Sequence, residues 1–269
     1  MSSVSKALEL MTFFSGARPE IGLSEMRRLA GRDKATTYRH LQALQVFGLI
    51  EQNPETKNYR LGPALLQLAQ LREQTVPRKA AARTAIQRLA EVTGETTHVS
   101  VMSGNTLYAL DSCESEKHST RAIIDIAIFP LHATASGLCA LAFGTADLLE
   151  MAQADLKPFT ASTPLTQDAL ASAVADVRRS GFGKSLGTFE ADIHSLSAPL
   201  FDQDGHFAGA VSVASVATRF DPALERTIMQ GLVAASRDIT KNWGGRVPQN
   251  IEHKWEATLG GHTEMEHAT

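Results

Sequence analysis

Cysteine is nearly absent from this sequence. Its 269 residues include only Cys113 and Cys139, far apart and in no CxxC pair. That scarcity removes a disulfide scaffold and a zinc ribbon from consideration and fits a reducing compartment. No apolar run reaches the ~18 residues that a membrane span requires. The N-terminus also lacks the basic region, apolar core and small-residue cleavage site of a secretory leader. The expectation is a soluble, cytoplasmic chain with no membrane partner. A general surplus of positive charge is missing too: the formal net charge is −3, which excludes a uniformly basic nucleic-acid coat.

What is present is an ordinary globular composition, 43% hydrophobic and 20% charged, over a length suited to one large or two ordinary domains. The charge is unevenly placed. Residues 1–62 hold nine Lys or Arg against six acids, so the remainder carries an excess of six acids. A basic head on an acidic body suits a site-specific DNA binder in which only the head meets phosphate.

The head is organised around Ser24–Leu61. Ser24 is a good N-cap for a short helix ending near Ala30, and Gly31-Arg32 make a tight turn. Asp33 caps a longer helix to Phe47, with Gly48 as the residue after its C-cap. Thr37, Leu41 and Leu44 recur at helical spacing and form a seam against the first helix. The opposite face presents Ala35, Arg39 and Gln42, flanked by Thr36 and Tyr38, with Lys34 at the N-terminal end, and it contains no acid. Such a helix suits a major groove: Arg reads guanine bidentately and Gln reads adenine. Leu49–Gln52 and Asn58–Leu61 then form a ribbon whose turn puts Lys57 at the tip, in reach of a minor groove or phosphate.

Along the rest of the chain, Ser3–Phe14 reads as a helix with more than one apolar stripe, and Pro63 starts a leucine-rich helix as its first residue. A break at Thr75–Pro77 precedes another helix, Lys79–Thr93. Beyond it, Thr96–Met102 and Leu107–Leu110 flank a Gly-Asn hairpin turn, and Ala122–Phe129 is a further strand candidate. Thr134 caps a helix to Phe143, Asp147–Ala154 is a short helix, and Thr166–Ser180 is an amphipathic helix stopped by Gly181. Strands His194–Phe201 and His206–Ala214 enclose a second hairpin, and Asp221-Pro222 opens a last helix to Trp243. The expected domains are a winged helix-turn-helix at 1–62, a linker helix at 63–78, an α/β sensor-like domain at 79–245 and a poorly ordered polar tail at 246–269. The fold class is α+β.

Six blocks in order, SVSKALELM, LSEMRRLAGRDKATTYRHLQALQVFGLIEQ, NPETKNYRLGPALLQLA, PLHATASGLCALA, GFGKSLGTFEADIHSLSAPLFDQDG and GAVSVAS, resemble the IclR family of transcriptional regulators over residues 3 to about 244. The resemblance implies a GAF-like C-terminal domain that senses a small organic or aromatic carboxylate. It further implies binding to double-stranded operator DNA as a homodimer or homotetramer, without catalysis or cofactor. By resemblance, the ligand's carboxylate meets backbone N–H groups at Ala135 and Ser136, where a helix N-terminus has unpaired donors. Ser185, Ile193, Ser195, Ser212 and Ala214 occupy the other pocket positions. Ser195 replaces a frequent cysteine, Ala214 a frequent serine, and His40 a usually apolar residue.

Two other readings are weaker. An enzyme using Cys139 or Cys113 with His132 or His98 lacks an acid to orient the base, and Cys139 lies in an apolar helix where thiols are usually inert. A redox or metal sensor of the same architecture would rest on two isolated cysteines, or on His98, His132 and His194, which have no local ligand spacing. Whether those histidines meet is left to the structure.

Overall fold

The computed structural model describes residues 2–266. They divide into two compact units, up to Pro77 and from Arg78 onward.

The first unit opens with α1 (Ser3–Glu9), capped by the Ser2 hydroxyl on the Ser5 N–H at 3.0 Å, and a 3-10 turn at Leu10–Phe13. A two-residue strand β1 (Glu20–Ile21) then pairs Glu20 with Arg60 and Ile21 with Tyr59. This pairing keeps the chain extended up to Gly22, so Gly22 becomes the cap of α2 (Leu23–Ala30), and Ser24, expected in that role, lies inside the first turn. Gly31 turns the chain in the left-handed region at φ 61°, which a side chain would oppose. As expected, the Asp33 carboxylate accepts the Thr36 N–H at 2.8 Å and starts α3 (Lys34–Val46).

Strands β2 (Ile50–Gln52) and β3 (Tyr59–Leu61) form the ribbon, with Ile50 opposite Leu61. Its turn is closed by Asn53, whose side-chain oxygen accepts the Glu55 N–H at 2.9 Å. Leu10, Ile21, Met26, Leu41, Leu44, Ile50 and Tyr59 make a dry core at 4% exposure or less, and Thr37 of the predicted seam is fully buried beside it. Truncating a leucine here to alanine costs about 2–5 kcal/mol. Pro63 is the cap residue of α4 (Ala64–Thr75) and not its first helical residue; α4 exposes Leu66, Leu68 and Leu71.

The second unit runs α5 (Arg78–Thr93), β4 (Thr96–Ser103), β5 (Thr106–Cys113), α6 (Ala135–Phe143), α7 (Asp147–Gln153), α8 (Gln167–Ser180), β6 (Gly183–Leu186), β7 (Ile193–Phe201), β8 (Phe207–Val216), α9 (Pro222–Asn242) and α10 (Gln249–Glu266). The strands form one antiparallel sheet in the order β5-β4-β8-β7-β6. Side chains alternate across it with period two. Val99, Leu196, Leu200, Val211 and Val213 enter the core shared with α5, α9 and α10. Ala210 joins α6, α7 and α8 on the other side.

Two expectations fail here. Residues 122–129 are not a strand. Ala109 donates to Ala127 and Leu107 accepts from Phe129, both at 2.9 Å, and Tyr108 bridges Ile128, but no ladder forms because the segment leaves the edge of β5. The Thr96 hydroxyl fastens it at the Ala122 carbonyl, 2.7 Å away. The segment after Arg246 is likewise not a poorly ordered tail. Val247, Ile251 and Trp255 recur every fourth residue and are buried at 8%, 3% and 1% exposure. The Trp255 indole donates to the Gly181 carbonyl at 2.9 Å, and Arg237 grips Glu252. The second unit therefore extends well past 245; residues 267–269 lie outside the described residues. Among the described residues no helix is long and apolar enough to cross a membrane.

Candidate nucleic-acid interface and ligand cavity

On α3, Lys34, Ala35, Tyr38 and Arg39 are exposed, and Thr36 and Gln42 are half-buried. At about 100° per residue, Lys34, Ala35, Tyr38, Arg39 and Gln42 fall within an arc of about 140°. Lys34, Arg39 and Lys57 form no ion pair among the described residues, whereas Arg18, Arg28, Arg32 and Arg60 are taken by Glu25, Glu9, Glu20 and Glu51. The exposed α3 face and the ribbon tip thus keep their cations unpaired, as Lys6 and Arg27 also are among the described residues. Lys57 is held there at φ 59°. Gln42 is less available than its spacing suggests, because its amide donates to Gln45 at 3.3 Å and its side chain also meets the Tyr59 hydroxyl.

His40 points inward. Burial first, then Arg32, Arg39 and Lys6, lower its pKa, so it packs as a neutral ring near Ser3. The end of α3 is tied to α4. Gly62 donates to the Leu49 carbonyl at 2.9 Å, Ala64 donates to the Gly48 carbonyl at 3.1 Å, and a Cβ on Gly62 would come within 2.2 Å of the Gly48 oxygen.

The second unit holds a cavity between the α6 side of the sheet and the 122–129 segment. Of the residues expected there, Ala135, Ser136, Ser185, Ile193, Ser195 and Ala214 line it. Thr134 caps α6 by accepting the Gly137 N–H at 3.0 Å, and among the described residues the N–H groups of Ala135 and Ser136, two residues each 1% exposed, have no acceptor. Ser185 lines the wall but its hydroxyl is engaged with Thr188 and the Ala133 carbonyl. Ser212 is not a lining residue. It shares a face with Ala214 but lies opposite Ser197, to whose hydroxyl it donates at 2.8 Å. The hydroxyl pair satisfies itself inside the sheet.

Sequence reasoning missed the other walls: Ile123, Ile124, Ile126 and Phe129 from the non-strand segment, Phe189 and Glu190 after β6, and His98. Period-two alternation along β4 was the signal that would have found His98, two residues from Thr96 on the cavity side. The ring stacks on Phe129 at 4.9 Å, and burial brings its pKa down to about 4.

Against these two sites the comparisons are unambiguous. The family model for the bacterial transcriptional regulator IclR C-terminal region matches residues 71–241, and the IclR helix-turn-helix domain matches residues 3–54. The chain belongs to the IclR family. Among curated IclR-type relatives, it is 27% identical over 225 residues to the HTH-type transcriptional regulator XynR of Escherichia coli K12, covering 83% of this chain and 89% of that one. It is also 27% identical to the glycerol operon regulatory protein of Streptomyces coelicolor, at 90% and 94% coverage. A solved IclR transcriptional regulator from Silicibacter sp. TM1040 is 40% identical, with a TM-score of 0.85 over 93% of this chain and 99% of that one. An IclR homologue from Microbacterium hydrocarbonoxydans, solved in complex with 4-hydroxybenzoate, shares the fold at 21% identity, with a TM-score of 0.75 and coverage of 90% and 99%.

The IclR-family chain is a transcriptional regulator with a DNA-binding helix-turn-helix. The Cys139 thiol is fully buried beside the Ser197 carbonyl, and burial pushes its pKa up to about 12, so it stays protonated. His132 is bound to the Lys157 backbone outside the cavity. Among the described residues His98, His132 and His194 do not form a ligand cluster. Asp202, Asp204 and His206 do come together, but at an exposed turn where Asp202 accepts the backbone N–H groups of Asp204 and His206.

Proposed function

We propose that this chain is a ligand-responsive regulator that binds operator DNA as a homodimer or homotetramer and senses a small organic or aromatic carboxylate. The observation that carries the reading is the pair of unclaimed N–H groups at the start of α6, opening on a partly open, largely apolar cavity. Unpaired amides and the positive end of a helix favour an anion, and a buried donor left unpaired costs about 1–3 kcal/mol until something meets it. The Microbacterium relative holds an acid of this class.

Pairing of heads is supported by the apolar residues that the first unit exposes, including Val4 at 68%, Phe47 at 74% and Leu66 at 75%. A helix-turn-helix reads two half-sites about one helical turn apart only when two copies are joined. The test is selection of duplexes from a random pool by the full-length chain, with and without a panel of carboxylates. The expected result is enrichment of a two-fold symmetric site whose binding changes with one of the acids. Failure to enrich any sequence would overturn the reading.

A further inference from the structure

The chemistry of the cavity walls narrows the ligand beyond the word carboxylate, an inference that rests on the reading above. No lysine or arginine lines the cavity. Its single positive pole is the start of α6, worth about half an elementary charge at most. The two acidic side chains along its wall, Asp125 and Glu190, are exposed and have no ion-pair partner among the described residues, so they sit toward solvent and oppose the entry of negative charge. Inside, isoleucine and phenylalanine side chains share the wall with the uncharged hydroxyls of Thr134, Ser136, Ser185 and Ser195, those of Thr134 and Ser185 already engaged with the backbone, and with His98. That residue is 5% exposed, its Nδ1 is fully buried, and neither ring nitrogen is hydrogen-bonded among the described residues. A buried imidazole with both nitrogens idle is an incomplete hydrogen-bonding site.

We propose that the cavity takes a monocarboxylate whose apolar body carries a hydroxyl met by His98, and that it rejects dicarboxylates. A hydroxyl both donates and accepts, so it suits either tautomer of the ring. A second carboxylate would face a neutral imidazole, uncharged hydroxyls and hydrocarbon with no lysine or arginine along the wall, where an unpaired charge is poorly tolerated.

The test titrates the full-length chain with two matched series: benzoate, 4-hydroxybenzoate and terephthalate, and butyrate, 4-hydroxybutyrate and succinate. In at least one series the hydroxy acid should bind on the order of ten-fold tighter than its parent, the worth of one added hydrogen bond, and the diacid should not bind. His98→Phe, which keeps the stack on Phe129, should bind the parent acid and lose the preference for the hydroxyl. The wild-type comparison decides even where that variant does not fold. Equal affinity for parent and hydroxy acid, or tighter binding of the diacid, would overturn this inference while leaving the carboxylate reading intact. Silence from every monocarboxylate would overturn both.

Discussion

Acidification should weaken the second unit through one residue more than any other. His98 is wholly buried and its pKa stands at about 4 in the folded chain, against 6.5 for a free imidazole. Between those values the unfolded chain binds a proton that the native cavity refuses. Stability therefore rises with pH across the window and is lost as pH falls from 6.5 toward 4. A gap of about 2.5 units, at 1.36 kcal/mol each, amounts to about 3 kcal/mol by pH 4. His194, also lowered chiefly by burial, adds a smaller loss of the same sign.

The assay is urea unfolding followed by tryptophan fluorescence at pH 7, 6, 5 and 4. Trp243 and Trp255 both belong to the second unit, so the signal reports the unit that contains His98. With an m-value of about 2 kcal/mol/M, His98 moves the midpoint by about 1.5 M. His98→Phe isolates that contribution, because carboxylates titrating near pH 4 do so in both proteins. A variant whose midpoint falls with pH as steeply as the wild type would refute the reasoning, since the lost protons would then belong elsewhere.

Other consequences can be checked separately. Arg39→Ala should cost roughly 1–3 kcal/mol of operator affinity and relax specificity at one position. Lys57→Ala should weaken all duplexes alike and lower the salt slope by about one, both read by gel shift across ionic strengths. Trp255→Ala should destabilise the second unit by about 3–5 kcal/mol in thermal unfolding; an unchanged melting temperature would mean that α10 is dispensable. Ala135→Pro occupies the first position of α6, where proline is tolerated, and deletes one idle donor. Carboxylate affinity should drop about ten-fold or more with helix content kept in circular dichroism. Cys139 should resist thiol reagents in the folded chain, with operator binding indifferent to reductant; rapid labelling at that position would contradict its burial.

The legible parts of this fold were those where local chemistry and packing agree. Asp33 caps, Gly31 turns and the Thr37-Leu41-Leu44 seam buries itself, each for a reason contained within a few residues. The segment at 122–129 misled because an apolar run signals burial without saying what buries it: its isoleucines cover a cavity instead of joining a ladder. The opposite error occurred after Arg246, where Ile251 and Trp255, with Leu259 packed partly buried beside them, dock a helix whose remaining residues are mostly polar. Strand β6 is four residues long and begins with glycine, too short for alternation to show. The cavity walls drawn from α6, β7 and β8 followed from the resemblance, whereas His98 and Phe189 depend on how distant segments meet. Ser212 was misplaced because a strand position fixes the face of a side chain but not the neighbour with which it bonds.

The two glycines at the foot of the ribbon have a mechanical meaning. With Gly62 against the Gly48 carbonyl and Ala64 hydrogen-bonded to it, α3 and the leucine-rich helix are pinned at one joint like the arm and shaft of a crank, and an alanine at 62 would pry that joint apart.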